Sequence, residues 1–221
     1  MTWDPVWEQV FQQQAWGKYP GEELIRFIAR NFYKAPKRSD VKILEVGCGP
    51  GANLWYMARE GFAVYGIDGS ETAIQIARSR LDQECPGWKG ELLVGDITKL
   101  PYADAYFDAV IDNEAVYANP YEQSLAIYSE MARVTKKGGK LFSRTFAQGS
   151  WGDGTGEQVG HHAFVCSEGP LAGKGFSRFT AYEEIPVLIE DFSVQEIQLI
   201  SRLDCQENKE VKEWIIIGEK T

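Results

Sequence analysis

From residue 41 onward, short apolar runs alternate with stretches whose apolar positions recur at helical spacing. Residues 41–46 read as a first strand, and Leu54, Met57 and Ala58 then share one face of a helix over roughly 51–60. A second strand covers 62–67. Ala73, Ala77 and Leu81 mark the inner stripe of the next helix, with Ser70 as its N-cap and Glu71 in its first turn. Strands follow at 91–94 and 107–111. A long helix from Tyr121 carries Leu125, Tyr128, Met131 and Ala132, and Lys136-Lys137-Gly138-Gly139 is expected to stop it. A fifth strand spans 140–144. Alternation of this kind demands a parallel sheet with right-handed crossovers.

The flanks follow other patterns. Asp4-Pro5 starts a helix with Val6, Trp7, Val10 and Phe11 on one face, and a second follows Pro20-Gly21 with Leu24, Phe27, Ile28 and Phe32. Residues 1–40 are expected to stand outside the sheet as a helical cap. From 146 to 179 no period holds and glycines cluster, so a long loop is expected at the substrate side. Thr180-Ala181-Tyr182-Glu183 reads as a capping box for a short helix limited by Pro186. Residues 192–200 and 211–217 then form a strand pair. The expected whole is one α/β domain over 1–221: a doubly wound, mostly parallel seven-stranded sheet, helices on both faces, and an antiparallel strand near the C-terminal edge. Its core spans 41–145, and 180–221 closes the sheet.

Composition narrows the function. Lys and Arg number 23 against 32 Asp and Glu, for a net charge of −9. Phosphate-backbone binding needs a basic patch, so a nucleic-acid substrate is not expected. There is no apolar run of membrane-spanning length, and Met1-Thr2-Trp3-Asp4-Pro5 does not look like a signal peptide. Cys48, Cys85, Cys166 and Cys205 lack CxxC spacing, which indicates neither a zinc site nor a disulfide framework. The expectation is a cytoplasmic protein with free thiols and no metal, monomeric or homodimeric, acting on a small molecule.

The chemistry begins where the first strand ends. Gly47-x-Gly49-x-x-Ala52 satisfies a loose nucleotide fingerprint, with Asp68 about 20 residues on. Taken alone it fits NAD, FAD or S-adenosylmethionine. Glu45 precedes the first glycine by two, giving E-x-G-x-G-x-G with Gly51. Gly95-Asp96-Ile97 and Asp112-Asn113 end two further strands, and too little chain remains for the catalytic domain of a nicotinamide enzyme.

With Leu44-Glu45-Val46-Gly47-Cys48-Gly49-Pro50-Gly51, Tyr65-Gly66-Ile67-Asp68-Gly69-Ser70, Gly95-Asp96-Ile97, Phe107-Asp108-Ala109-Val110 and Glu130-Met131-Ala132-Arg133-Val134, the chain resembles the class I S-adenosylmethionine-dependent methyltransferases over roughly 41–145. The resemblance implies that family's Rossmann-like fold and S-adenosylmethionine as cofactor. It implies that Gly47, Cys48, Gly49 and Gly51 admit the methionine part of the cofactor. Glu45 orients the turn or stands behind the contact to the amino group. Asp68, with Gly69 and Ser70 beside it, accepts from the ribose hydroxyls. Asp96 accepts from the adenine amino group, Ile97 packs on the ring, and Asn113 faces the methionine end. Lys18 or Tyr19 closes over the cofactor carboxylate from the cap.

A hydroxyl acceptor needs a general base, and His161 or His162 in the glycine-rich loop is expected to supply it, with Asp112 and Glu114 as competitors. Asp108 is expected to be structural. The expected activity is methyl transfer to a small polar acceptor such as a sugar-like metabolite. The alternatives are a catalytically silent S-adenosylmethionine-binding sensor or partner subunit, and a nicotinamide-dependent oxidoreductase.

Overall fold

The structure, a computed structural model, describes residues 3–221; Met1 and Thr2, with their part of the N-terminal stretch read for a signal peptide, lie outside the described residues. In chain order the first elements are α1 (Val6–Gln13), α2 (Glu22–Phe32), β1 (Lys42–Val46), α3 (Ala52–Arg59), β2 (Ala63–Asp68) and α4 (Glu71–Glu84). Then come β3 (Lys89–Val94), β4 (Phe107–Asn113), α5 (Tyr121–Val134), β5 (Thr135–Phe146), β6 (Glu157–Gly160), β7 (Ala163–Val165) and β8 (Phe176–Arg178). The chain ends with α6 (Ile185–Leu188), β9 (Phe192–Asp204) and β10 (Lys209–Lys220).

The main sheet has seven strands in the order β3-β2-β1-β4-β5-β10-β9. Pairing is parallel from β3 to β5, and β10 runs antiparallel to both its neighbours. Consecutive residues of β1 serve opposite faces, as strand geometry requires. Ile43 packs with Phe27, Ile28, Leu54 and Met57 from α2 and α3. Leu44 packs with Ile127 and Met131 of α5 and Leu188 of α6. The seven-stranded, two-faced α/β architecture expected from the sequence is present.

Four local expectations change. First, α2 is not part of an outer cap: its stripe of Leu24, Phe27, Ile28 and Phe32 is buried on the sheet with Phe62, Phe142 and Ile215. An amphipathic helix this apolar on one face needs a partner surface, and the sheet offers it. Second, α5 ends at Val134, and Lys136 to Gly139 forms an irregularity inside β5 rather than a helix end. Lys136 is held there by Asp108, which also accepts from the Lys42 backbone N–H at 2.8 Å, so Asp108 is structural as read. Third, 146–179 is not structureless. β6, β7 and β8 form a second, three-stranded sheet, and Cys166, Leu171 and Phe179 with Tyr117 and Phe146 make a small core of their own. Fourth, the box expected at Thr180 slides one residue. Glu184, not Glu183, accepts the Ala181 N–H at 2.9 Å. Thr180 is fully buried, and its carbonyl accepts from Trp214 Nε1 at 2.9 Å.

Gly66 in β2 shows how tightly the layers meet. A Cβ there would stand 2.6 Å from Leu54 Cδ1 and 2.8 Å from Cys48 Sγ. Gly66→Ala is therefore expected to overpack the α3 face and cost about 1–3 kcal/mol. Urea unfolding checks this: a lower midpoint with an unchanged slope is the expected result.

Candidate cofactor and acceptor site

Strand order reverses between β1 and β4, and in a sheet of this type the crevice beyond the strand ends at that point is where ligands bind. Two glycines bring the exits together. Gly47 has φ +61°, and a Cβ on it would lie 2.2 Å from Ala115 Cβ on the turn after β4. Gly51 (φ +79°) stands at the N-cap of α3, where a Cβ would meet Ala77 Cβ of α4 at 2.8 Å. Both positions demand the left-handed region that only glycine enters at little cost.

A cavity of about 400 Å³ opens in this crevice. Glu45, Gly47, Cys48, Gly49, Asp68, Gly69, Asp96, Ile97, Asn113 and Tyr19 line it, all positions expected from the sequence. Asp68 Oδ2 accepts the Gly49 N–H and Oδ1 accepts the Ser70 N–H, each at 2.8 Å. Each oxygen keeps a further acceptor site. Burial nevertheless pushes the Asp68 carboxyl upward, against those two bonds. Glu45 is 2 % exposed; its Oε1 accepts from Asn53 Nδ2 at 2.5 Å, and its Oε2 has no hydrogen-bond partner among the described residues. Burial raises its pKa to about 8. Asp96 turns one oxygen onto Thr98, accepting from its N–H at 2.9 Å and its hydroxyl at 2.7 Å.

Five expected residues stand elsewhere. Gly51 and Ser70 lie behind the lining: Gly51 seats α3 on α4, and Ser70 Oγ caps α4 by accepting the Ala73 N–H at 3.0 Å. Asp112 is fully buried and is no accessible base. Its Oδ1 accepts the Ala115 and Val116 N–H groups, each at 3.0 Å, and its Oδ2 accepts from Tyr128 at 2.9 Å and Ser143 at 2.7 Å. His161 and His162 do not reach the cavity. They sit on the turn between β6 and β7, against Glu184, because the small sheet carries that turn away from the strand ends.

Other residues complete the site. Glu114, in the left-handed region at φ +61°, lines the cavity with Arg144, whose Nε stands 2.9 Å from Glu114 Oε1. Arg144 Nη2 donates to Glu213 Oε2 at 2.7 Å, and Arg202 shares that oxygen at 2.6 Å. Burial and the neighbouring Glu213 raise the Glu114 pKa to about 8, with Arg144 opposing. Tyr117, Phe146 and Leu171, clustered together, form an apolar wall of the cavity, and Trp7, Phe11 and Trp16 roof it as an aromatic triangle with centroids 5.5 to 5.9 Å apart. The helical face with Trp7 and Phe11 was visible in the sequence; its packing over the cavity was not. Nothing local in the sequence marks Arg144 or Tyr117.

Comparison with known proteins follows the same lines. The family model described as a methyltransferase domain matches residues 43–139. A malonyl-[acyl-carrier protein] O-methyltransferase of Erwinia pyrifoliae is 37% identical over 114 residues, 50% of this chain and 39% of that protein. A fatty-acid O-methyltransferase of Mycolicibacterium smegmatis is 33% identical over 123 residues, 53% of this chain and 43% of that protein. The match spans less than half the length of these two relatives. The solved structure of an S-adenosylmethionine-dependent methyltransferase from Methanosarcina mazei superposes with a TM-score of 0.68 at 21% identity, covering 87% of this chain and 96% of that one. Over residues 43–139 this chain matches the methyltransferase domain, and its fold is that of S-adenosylmethionine-dependent methyltransferases.

S-adenosylmethionine, the cofactor of methyltransferases of this fold, fits the residues present. The buried, unpartnered Glu45 Oε2 suits the cationic amino group, and the Asp68 oxygens suit a vicinal diol. One of the contacts that hold the roof over that site is a carboxylate. Glu8 of α1 accepts from the Ser70 and Thr72 hydroxyls at the start of α4, and these bonds hold its carboxyl below the usual range. A depressed carboxyl contributes its stabilisation above the unfolded value and loses it as pH falls through the folded one. Glu8→Ala is expected to lower Tm by about 2–4 °C, as for the loss of ~1 kcal/mol in a chain of this size. It should also speed proteolysis within residues 1–20 at neutral pH, with the wild type approaching the same rate only in acid, as pH falls from the ordinary carboxylate range through the lowered folded value.

Proposed function

We propose that this protein transfers the methyl group of S-adenosylmethionine to a small acceptor held between the strand ends and the aromatic roof. One observation carries the reading: Glu45 and Asp68, on either side of the glycine turn, share a single cavity with Glu114 and Arg144. When bound, the cofactor supplies an electrophilic methyl on a sulfonium. This chain's residues bind and orient. Asp68 takes the ribose hydroxyls, Asp96 and Ile97 the adenine, and Glu45, Asn113 and Tyr19 the methionine end. Trp7, Phe11 and Tyr117 exclude water and offer electron-rich faces to a cation. Such a displacement depends on alignment of the reacting atoms. Glu114 is the group we assign to accept the acceptor's proton, since it lines the cavity and its pKa, about 8, lies near working pH.

The acceptor has an apolar or flat face for Tyr117, Phe146 and Leu171 and a polar nucleophile toward Glu114. A sugar-like metabolite is one such molecule. The relatives named for malonyl-acyl carrier protein and fatty acids extend the class to acyl compounds. Release of S-adenosylhomocysteine from a mixture of such acceptors tests the reading. Tight cofactor binding with no release on any acceptor favours the silent sensor, and thermal stabilisation by NAD(H) but not by S-adenosylhomocysteine favours an oxidoreductase.

Asp68→Ala should weaken S-adenosylhomocysteine binding by about 1–3 kcal/mol in calorimetry, the scale of lost charge-assisted hydrogen bonds. Unchanged affinity would remove Asp68 from the site. Glu45 is neutral in the folded protein up to about pH 8 and must ionise to pair with an amino cation. Binding is therefore expected to tighten from pH 6 to pH 8 by about tenfold or more, as two pH units below a pKa permit. Glu45→Gln should abolish that slope while leaving the protein folded.

A further inference from the structure

Among the described residues, His161, His162 and Glu184 bring three potential ligand atoms within 4.8 Å of one another. None of them lines the cofactor cavity. We infer that these three residues form a binding site for a divalent transition ion of borderline softness, with Zn²⁺ as its natural probe. The ion would join the β6–β7 turn to the segment that leads into α6.

The spacing suits such an ion. His161 Nε2 stands 2.8 Å and His162 Nδ1 3.4 Å from Glu184 Oε1. A tetrahedral ion about 2.0–2.1 Å from nitrogen and oxygen ligands holds neighbouring ligand atoms roughly 3.3–3.5 Å apart. The carboxylate is already oriented. Glu184 Oε2 accepts the Ala181 N–H at 2.9 Å and faces the buried Arg178 at 3.4 Å, which leaves Oε1 aimed at the imidazoles. Arg178 opposes a cation from the far oxygen and sets the site below the tightest structural zinc sites in affinity.

The backbone supplies a second, independent sign. Adjacent residues of a strand point to opposite faces. His162 instead takes φ +47°, a region non-glycine residues rarely enter, and both rings turn to the same side, with centroids 4.0 Å apart at 27°. His162 Nδ1 is buried and has no hydrogen-bond partner among the described residues, so the fold leaves a ring nitrogen with open coordination capacity beside Glu184. His161 is exposed, which leaves its ring the room it needs to turn about its side-chain bonds, since the stacked rings must rotate for one ion to lie in both ring planes. The exposed side leaves the fourth position to water. Sequence spacing hides this set, because Glu184 lies more than twenty residues from the histidines and β8 intervenes.

The test uses the full chain carrying Cys205→Ser, which removes the one exposed thiol. Zn²⁺ is titrated by calorimetry and Co²⁺ by visible absorption. The expected result is one saturable equivalent, a higher Tm with Zn²⁺, and slower proteolysis of residues 146–179. His161→Ala and His162→Asn should each weaken Zn²⁺ at least about tenfold and remove the Co²⁺ band. Asparagine tolerates the left-handed backbone, so the second variant keeps the turn. Absence of a saturable equivalent, or equal affinity in the parent and both variants, overturns the inference.

Discussion

The fully buried carboxylate of Asp112 anchors the site from below. It sits at the exit of β4 and accepts four hydrogen bonds: two from the backbone of the following turn, one from Tyr128 on α5 and one from Ser143 on β5. The two backbone bonds fix Ala115, and Ala115 fills the space that a side chain on Gly47 would need. The glycine turn and the β4 exit are thus fitted to each other. Burying an acid is costly unless its oxygens are satisfied, and here the satisfaction is spread over three elements. The crevice at the strand-order reversal inherits its shape from this arrangement.

Within that crevice, burial works against charge. Glu45 and Glu114 are both pushed toward the neutral form, Glu45 by enclosure and Glu114 by enclosure with a second carboxyl nearby. Cavities that hold acids in this condition are poised for a cationic or proton-donating ligand, because binding returns the pairing the fold withholds. The aromatic roof acts in the same direction by excluding water. It is fastened by Glu8 to the start of α4 on one side, and Asp4 accepts the Phe176 N–H at 3.4 Å on the other. The roof therefore ties the cofactor end of the cavity to the small sheet.

That sheet shows why a glycine-rich stretch is not always a loop. Trp151 N–H donates to the Glu210 carbonyl at 2.7 Å, and Ser150 Oγ accepts the Lys212 N–H at 2.9 Å, so β10 supplies the frame on which residues 147–179 are built. No period in the stretch itself could reveal this, since its strands are only three or four residues long and pair with one another around turns. The histidine pair was read as acceptor-facing for the same reason: which way a short hairpin points is decided by what it packs on.

What the sequence determined by itself was local and periodic. Alternation of strand and helix patterns specifies the parallel core, and the glycine turn, Glu45, Asp68 and Asp96 lie in or just beyond the last residues of their strands, so their meeting in one cavity was legible. The sheet order places strand ends together whatever the flanks do. Tertiary structure alone decided the rest. Asp112 and Glu114 are two residues apart, yet one faces inward as a brace and the other lines the cavity, because Glu114 itself leaves the strand in the left-handed region and Arg144 waits on the next strand. Periodicity reports which face of an element is buried; it carries no information about which distant side chains the burial brings together.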